Sequence, residues 1–256
     1  MNEIPPFLMR TELLFGTEKL EKLRKSHVLV LGLGGVGAYA AEMLVRAGVG
    51  ELTIIDGDIV EETNLNRQLP ALHSTIGMPK STVLKKRFLD INPNCVIHDI
   101  FEYIENEKTE KLLETKFDYA IDAIDSLSPK VYFLKRCLEK KIPVISSMGS
   151  GGRVDPLAVK IADISKTYNC GLARAVRQKL KKLGITKGLK TVFSEEAVPP
   201  HAVKAYTDEN GFNHSMTGTV SYIVAIFGCV LASEAIKYLT SEYKKSKKEK
   251  ISCNSK

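Results

Sequence analysis

The sequence predicts an α/β fold, in which a mostly parallel β-sheet is covered by helices on both faces. Two observations carry this prediction. The apolar run Val28-Leu29-Val30-Leu31 leads directly into a glycine-rich loop, Gly32-Leu33-Gly34-Gly35-Val36-Gly37. Short apolar runs then alternate with longer amphipathic stretches as far as residue 147. Such alternation is typical of parallel strands joined by helices.

The predicted strands are short apolar runs bounded by turn residues, and they cover 27–31, 52–55, 96–99, 119–121, 143–146, 159–162 and 191–194. The predicted helices have apolar residues at helical spacing. They cover 12–25, the glycine loop to 47, 80–90, 105–113, 129–140, 173–183 and 219–239. We expect the first helix to bury Leu13, Leu14, Leu20 and Leu23, and we expect 198–214 to be a loop.

The composition is that of an ordinary globular protein. Of 256 residues, 44% are hydrophobic and 26% are charged, which is usual for globular domains. The start of the chain has no basic segment before an apolar one, so we expect no signal peptide and a cytoplasmic location. The longest apolar run, 220–232, is shorter than the roughly 20 residues that cross a bilayer. We therefore interpret it as a buried helix and expect no membrane partner.

The five cysteines are scattered and form no C-x-x-C pair. Cysteines in an oxidising compartment usually form an even-numbered disulfide framework, and zinc-binding cysteines usually come in closely spaced pairs. We therefore expect a reducing compartment, neither a disulfide framework nor a four-cysteine zinc site, and no structural zinc.

The glycine loop and the segment after the second strand predict a nucleotide site. Gly32, Gly34, Gly35 and Gly37 permit a tight turn whose backbone N–H groups face phosphate at a helix N-terminus. Asp56 lies nineteen residues after Gly37, at the distance where an acid binds ribose hydroxyls. Beyond it stand a second acid, a cluster of amides with one cation, and a later lysine: Asp58, Asn64, Asn66, Arg67, Gln68 and Lys80. Because cations in this position suit a triphosphate tail, the pattern favours ATP over a dinucleotide.

Two carboxylates follow the strand at 119–121. Ligands of open parallel sheets bind outside the carboxyl ends of the strands. Asp125, beside Ser126, is therefore placed to hold Mg²⁺ between phosphates, whereas Asp122 is expected only to support the strand end.

One long segment carries cations without acids. Between Ile164 and Ser194 there is no acidic residue, although the whole chain has a net charge of only +7. Solvated faces usually mix both signs, and an unmixed basic patch attracts phosphate backbone. We therefore expect nucleic acid to contact residues Lys166, Arg174, Arg177, Lys181, Lys182, Lys187 and Lys190.

These motifs resemble the superfamily of ThiF, MoeB and the ubiquitin-activating enzymes. The shared segments are Arg10-Thr-Glu-Leu, the glycine loop, Asp56-x-Asp58, Asn64-x-Asn66-Arg67-Gln68, Gly77-x-Pro-Lys80 and Ile121-Asp-Ala-Ile-Asp125-Ser. The later segments Ser147-Met-Gly-Ser-Gly-Gly-Arg153, Ala162-Asp163-Ile-Ser165-Lys166-Thr167 and Val192-Phe193-Ser194-Glu195-Glu196 resemble the bacterial tRNA threonylcarbamoyladenosine dehydratase branch.

The resemblance implies a Rossmann-like, ThiF/MoeB-type adenylation fold. It implies one adenylation domain over 1–256, comprising an ATP-binding part (1–147), a substrate-binding and dimerisation part (148–240) and a basic tail (241–256). The implied reaction uses ATP and Mg²⁺ to adenylate the threonyl carboxylate of a modified tRNA adenosine and then to cyclise it. Arg67, Lys80 and Asp125 would be catalytic, and Arg10 would reach the phosphates of the partner in a homodimer.

Two other enzyme classes remain open on the sequence. An adenylating enzyme for a ubiquitin-like sulfur-carrier protein would share the nucleotide site, and a sulfur-relay partner stays an open question. A nicotinamide-dependent oxidoreductase would share only the glycine loop. The missing zinc cysteines and the basic segment count against the first class, and the Asn64–Gln68 cluster counts against the second.

Overall fold

The computed structural model describes residues 4–207, 211 and 213–241. Nine strands lie in this part of the chain: β1 His27–Leu31, β2 Glu51–Ile55, β3 Val96–Ile100, β4 Tyr119–Asp122, β5 Val144–Ser147, β6 Val159–Asp163, β7 Lys190–Ser194, β8 Val203–Thr207 and β9 Asn213–Thr217. The α-helices are α1 Met9–Phe15, α2 Thr17–Arg24, α3 Gly37–Ala47, α4 Lys80–Ile91, α5 Asn106–Leu112, α6 Leu127–Glu139, α7 Gly171–Lys182 and α8 Ser221–Thr240.

Seven strands form one sheet in the order β3-β2-β1-β4-β5-β7-β6, and within it only β6 runs antiparallel to its neighbour. One face is covered by α3, α4 and α8, which contribute Leu44, Phe88 and Phe227 to one buried core. The other face is covered by α6 and α7, which contribute Phe133 and Leu180 to a second. The predicted fold class is confirmed. The one sheet includes strands from both parts of the chain, before and after residue 147.

Helix α8 is the one described helix that is long and apolar enough to cross a membrane by length and composition. It instead packs on α3 and on β4 and β5, and Phe227, Leu231 and Ala235 are fully buried there. Gly228 makes this contact close, because a Cβ added at Gly228 would lie 2.6 Å from the carbonyl oxygen of Val36. The helix therefore belongs to the core, as its sequence predicts.

The predicted helix over 12–25 is wrong in one respect. The helix is interrupted at Gly16, whose φ of +84° ends α1 and sets the direction of α2. Leu20 and Leu23 of α2 are buried, but Leu13 and Leu14 of α1 are 86% and 76% exposed. The prediction continued the helical spacing through Gly16, but the backbone turns at this residue. Leu13 and Leu14 therefore face solvent, whereas Leu20 and Leu23 face the core.

The predicted loop over 198–214 is also wrong in part, because it contains β8 and the start of β9. These strands pair as a separate antiparallel hairpin. Prolines and glycine near their ends conceal them in the sequence. The predicted basic tail over 241–256 lies outside the described residues, apart from Ser241.

Candidate active site

The glycine loop turns sharply between β1 and α3. Gly32 has a φ of +88°, and its N–H donates to the Ile55 carbonyl over 2.9 Å. A Cβ on Gly37 would lie 1.8 Å from the Gly32 carbonyl oxygen, and one on Gly32 would lie 2.7 Å from that of Ala123. These two glycines are therefore required by the turn itself.

The two central glycines have other surroundings. A Cβ on Gly35 would lie 3.1 Å from Val224 of α8. At Gly34 the nearest atom would be Gln68 Nε2, 3.9 Å away. The backbone at Gly34 is therefore the part of the loop that an incoming phosphate can approach, close to the N-terminus of α3, where the helix dipole favours negative charge.

Substitutions at Gly34 and Gly37 should separate ligand binding from folding. We expect Gly37→Ala to unfold the protein or strongly destabilise it, because its methyl group would overlap a backbone oxygen that no side-chain rotation can move. Gly34→Ala should leave the melting temperature nearly unchanged and weaken ATP binding. Thermal unfolding and ATP titration of both variants would test this, and equal stability of the two variants would contradict the assignment.

Asp56 connects the end of β2 to the glycine loop. Its carboxylate accepts the Leu33 N–H over 2.5 Å and the Asp58 N–H over 2.8 Å. Burial raises the pKa of Asp56, and the charge of Lys80 partly offsets that rise. In this structure Asp56 therefore holds the turn together, and ribose binding by its carboxylate stays a prediction.

Asp58, Lys80 and Tyr103 form a second group at this edge. Lys80, at the start of α4, is 4% exposed, and its Nζ lies 2.7 Å from Asp58 Oδ2. The Tyr103 hydroxyl donates to Asp58 Oδ1 over 2.5 Å. Burial alone would raise the pKa of Asp58, but the hydrogen bonds from Lys80 and Tyr103 lower it overall. The structure thus positions a buried ammonium group beside the predicted phosphate site.

Sequence reasoning missed Tyr103. Its ring lies over Gly57, where an added Cβ would come within 2.6 Å of the ring, and the hydrogen bond to Asp58 raises the pKa of its hydroxyl to about 12. The residue lies in the loop after β3, 45 positions from its partner Asp58. No local pattern connects such distant positions.

The Asn64–Gln68 segment lies beside the glycine loop, because Gln68 Nε2 is the atom nearest to a Cβ on Gly34 and Arg67 is the preceding residue. We call the region around the glycine loop, Asp56, Lys80 and Arg67 the candidate nucleotide cleft. Asn64 is buried and accepts the Glu61 N–H over 3.1 Å, so it shapes the turn. Arg67 Nη1 donates to the Thr63 carbonyl over 2.8 Å and to Asn66 Oδ1 over 2.9 Å. Among the described residues no carboxylate forms an ion pair with Arg67, so most of its guanidinium donors remain available for phosphate. Asn66 Nδ2 contacts the Thr219 carbonyl, 3.3 Å away.

The two carboxylates after β4 have different roles. Asp122 is fully buried, accepts the Ser146 hydroxyl over 2.5 Å and pairs with buried Lys130 at 2.7 Å. Lys130 Nζ also donates to the Ile124 carbonyl over 2.8 Å. The expected supporting role of Asp122 is confirmed, and Lys130 is a further residue that the sequence did not suggest.

Asp125, by contrast, is exposed at the same edge of the sheet. Its Oδ1 accepts the Ser126 hydroxyl over 3.3 Å, and within the described residues no cation pairs with it. An exposed carboxylate without a cation, beside a site for phosphates, suits Mg²⁺, which is usually held by one or two carboxylates together with substrate phosphates.

Arg10 lies apart from this cleft within one chain. It is exposed on α1, and no hydrogen bond or ion pair in the described part of the chain joins it to the glycine loop. The same short helix carries the exposed Leu13 and Leu14.

The predicted tRNA-binding residues divide into two groups. Lys166, Arg174, Lys181, Lys182 and Lys187 are exposed on or beside α7. Arg177 Nη1 donates to the Thr167 carbonyl over 2.9 Å, and Lys190 pairs with Glu234 of α8. Lys179 Nζ lies 3.1 Å from the Ser128 hydroxyl in the first turn of α6. Lys179 of the basic helix therefore reaches the start of α6, which directly follows Asp125 and Ser126 in the chain.

Comparison with known proteins agrees with this geometry. Residues 8–255 match the ThiF family. The tRNA threonylcarbamoyladenosine dehydratase of Bacillus subtilis is 47% identical over 188 residues, which are 73% of this chain and 74% of that protein.

Solved structures give the same result. The Escherichia coli tRNA N6-threonylcarbamoyladenosine dehydratase in complex with ATP superposes with a TM-score of 0.83 at 34% identity, covering 91% of this chain and 93% of that one. The same enzyme in complex with AMP gives a TM-score of 0.82. The likeness includes the strands and helices on both sides of residue 147. This chain therefore belongs to the ThiF family, and within it to the group of the tRNA threonylcarbamoyladenosine dehydratases.

Proposed function

We propose that this protein is an ATP-dependent tRNA dehydratase. The threonyl carboxylate of N6-threonylcarbamoyladenosine, beside the anticodon, attacks the α-phosphorus of ATP and releases pyrophosphate. The ureido group then closes onto the activated carbonyl and expels AMP. The observation that carries the proposal is the likeness, over nine-tenths of both chains, to a dehydratase solved with ATP. Because tRNA is the substrate in this proposal, we expect the reaction to take place in the cytoplasm.

Each residue of the cleft has a role in this proposal. The loop around Gly34, at the N-terminus of α3, binds phosphate through backbone N–H groups, and Asp56 binds the ribose. Arg67 and Lys80 neutralise the charge that develops on the departing pyrophosphate, which lowers the barrier because these donors are already in place. Asn66 accepts a hydrogen bond from Arg67, Asn64 shapes the turn before it, Gln68 lies nearest to Gly34, and Ser126 orients Asp125. Mg²⁺ held by Asp125 would neutralise further phosphate charge.

Mass analysis of tRNA nucleosides tests the reaction directly. The protein would be incubated with ATP, Mg²⁺ and tRNA from a strain that lacks the cyclised base. We expect the modified nucleoside to lose the mass of one water, with one AMP formed per product. ATP–pyrophosphate exchange that responds to a ubiquitin-like carrier protein instead of tRNA would reject the proposal in favour of a carrier adenylyltransferase.

The exposed basic residues near α7 should bind the tRNA. Reversing Lys181, Lys182 and Lys187 to Glu should weaken tRNA binding and flatten its salt dependence, because fewer counterions are released on binding. The matched control reverses Lys111, Lys116 and Lys140, which are exposed elsewhere. If both triple variants bind tRNA equally well at every salt concentration, the segment is only a solvated surface.

We further propose that a homodimer completes the site, with Arg10 supplied by the partner. The supporting observation is the exposure of Leu13 and Leu14 on the helix of Arg10, since large exposed apolar patches often mark interfaces. Leu13→Glu should therefore produce monomers and reduce ATP turnover together. Leu157→Glu, at an equally exposed leucine, should do neither. Light scattering and AMP release measure the two effects, and a fully active L13E monomer would contradict the proposal.

A further inference from the structure

A group of metal-binding side chains lies at the other end of the sheet from the nucleotide cleft. His27 and Glu51 are the first residues of β1 and β2, and His98 is in β3. His27 is in register with Glu51, and Thr53 with His98. The three side chains therefore project from the same face of three neighbouring strands. Their potential ligand atoms all lie within 4.8 Å of one another.

We propose that His27, Glu51 and His98 bind a divalent transition-metal ion such as Zn²⁺. Two imidazole nitrogens and one carboxylate oxygen are ligands that zinc and its neighbours prefer. The cysteine pattern, which argued against a four-cysteine zinc site, has no bearing on a site of this kind.

The spacing of the three groups fits one ion. Two ligand atoms on a tetrahedral zinc ion lie about 3.4 Å apart, because each bond is about 2.1 Å long. His27 Nδ1 lies 3.6 Å from Glu51 Oε1, close to that separation. His98 Nε2 lies 2.7 Å from the same oxygen, as a direct hydrogen bond. A metal ion would replace that hydrogen bond after a small rotation of the exposed His98 side chain.

Thr53 holds His27 in a suitable orientation. Its hydroxyl lies 2.8 Å from His27 Nε2. In the tautomer in which Nε2 donates to Thr53, the lone pair of Nδ1 faces the Glu51 carboxylate. Two acceptors then face each other, and a cation between them would satisfy both. A hydrogen bond from the second ring nitrogen to a fixed partner is also the usual support of a metal-binding histidine.

The electrostatic surroundings favour a cation. The Asp118 carboxylate accepts the His27 backbone N–H over 2.9 Å and adds a negative charge beside His27. Phe117 packs against the His27 ring with centroids 4.8 Å apart, which restricts its motion.

The site is open to solvent on one side. The side chains of Glu51 and His98 are 40% and 48% exposed, whereas that of His27 is 13% exposed. Water can therefore complete the coordination, and the ion can enter and leave. Because the ligands come from three strands, the bound ion would stabilise the end of the sheet at which β1 and β2 begin. The melting temperature of the protein should therefore rise with metal concentration.

Titration of the full chain with Zn²⁺, after removal of metal with a chelator, tests the proposal by calorimetry. We expect one ion per chain and a rise in melting temperature. Glu51→Gln and His98→Gln should each weaken binding at least tenfold, while His73→Gln, at an exposed histidine elsewhere, should not. The substituted side chains are solvent-exposed, so circular dichroism should show folded variants.

Co²⁺ distinguishes this site from adventitious binding by cysteine. A His–Glu site gives d–d absorption without the thiolate-to-metal charge-transfer band that cysteine ligands produce. The proposal would be overturned by any one of three results: metal binding that is unchanged in both Glu51→Gln and His98→Gln, a thiolate-to-metal band, or a dissociation constant in the millimolar range or weaker. None of these readouts depends on ATP or tRNA, so they stand apart from any failure of the proposed enzyme activity.

Discussion

Arg67→Ala should abolish ATP–pyrophosphate exchange in the presence of modified tRNA while leaving the protein folded. The guanidinium is anchored only through Nη1, to Thr63 and Asn66, and its other donors point to no carboxylate within the described residues. Its loss therefore removes charge stabilisation from the transition state without breaking an ion pair of the fold. Removal of one preorganised donor group typically costs about a hundred- to a thousandfold in rate.

Arg67→Lys is the matched variant. Lysine keeps the charge but cannot donate two parallel hydrogen bonds to phosphate, so we expect partial activity between those of wild type and Arg67→Ala. Exchange measured with radiolabelled pyrophosphate, together with thermal unfolding, separates catalysis from stability. Full turnover by Arg67→Ala would contradict the assigned site.

Asp122→Ala should destabilise the fold, whereas Asp125→Ala should destroy activity alone. Asp122 and Lys130 are both fully buried and paired at 2.7 Å. Removing the carboxylate leaves a buried ammonium group without its counterion, and such a change typically costs about 3–5 kcal/mol. Asp125 is exposed, and its only hydrogen-bond donor in the described part of the chain is Ser126, so its loss should not affect folding.

Chemical denaturation and pyrophosphate exchange distinguish these two carboxylates, which lie three residues apart. Asp125→Ala should unfold at the wild-type denaturant concentration and fail to exchange. Asp122→Ala should unfold at a lower concentration. The double variant Asp122→Ala with Lys130→Met should recover much of the lost stability, because it removes the unpaired charge. Identical stability of the two single variants would refute the separation of roles.

The sequence predicted the order of elements in the sheet region well because local pattern determines it there. The buried strands are continuous apolar runs, and β1 was predicted with the bounds that it has, His27–Leu31. The glycine loop could also be predicted from the sequence, because the turn that requires Gly32 and Gly37 is formed within a few residues.

The N-terminal helix and the β8–β9 hairpin were not predicted correctly, because the apolar pattern misleads in the first segment and is weak in the second. Helical spacing assigns Leu13 and Leu14 to the same apolar side as the buried Leu20 and Leu23, and the turn at Gly16 separates their environments. All five residues of the hairpin strand β8 are exposed, so no strongly apolar run marks it in the sequence.

By itself, the sequence determined the fold class, the glycine turn, the family and the segments that carry the candidate nucleotide and tRNA contacts, because these depend on residue types at short, fixed spacings. Only the tertiary structure decided which of those side chains are paired with other residues of the protein and which remain available to bind a ligand. It paired Asp122 with Lys130, placed Tyr103 on Asp58, and brought His27, Glu51 and His98 from three strands to one face. Contacts between positions far apart in the chain depend on strand register and helix packing, which no local pattern records.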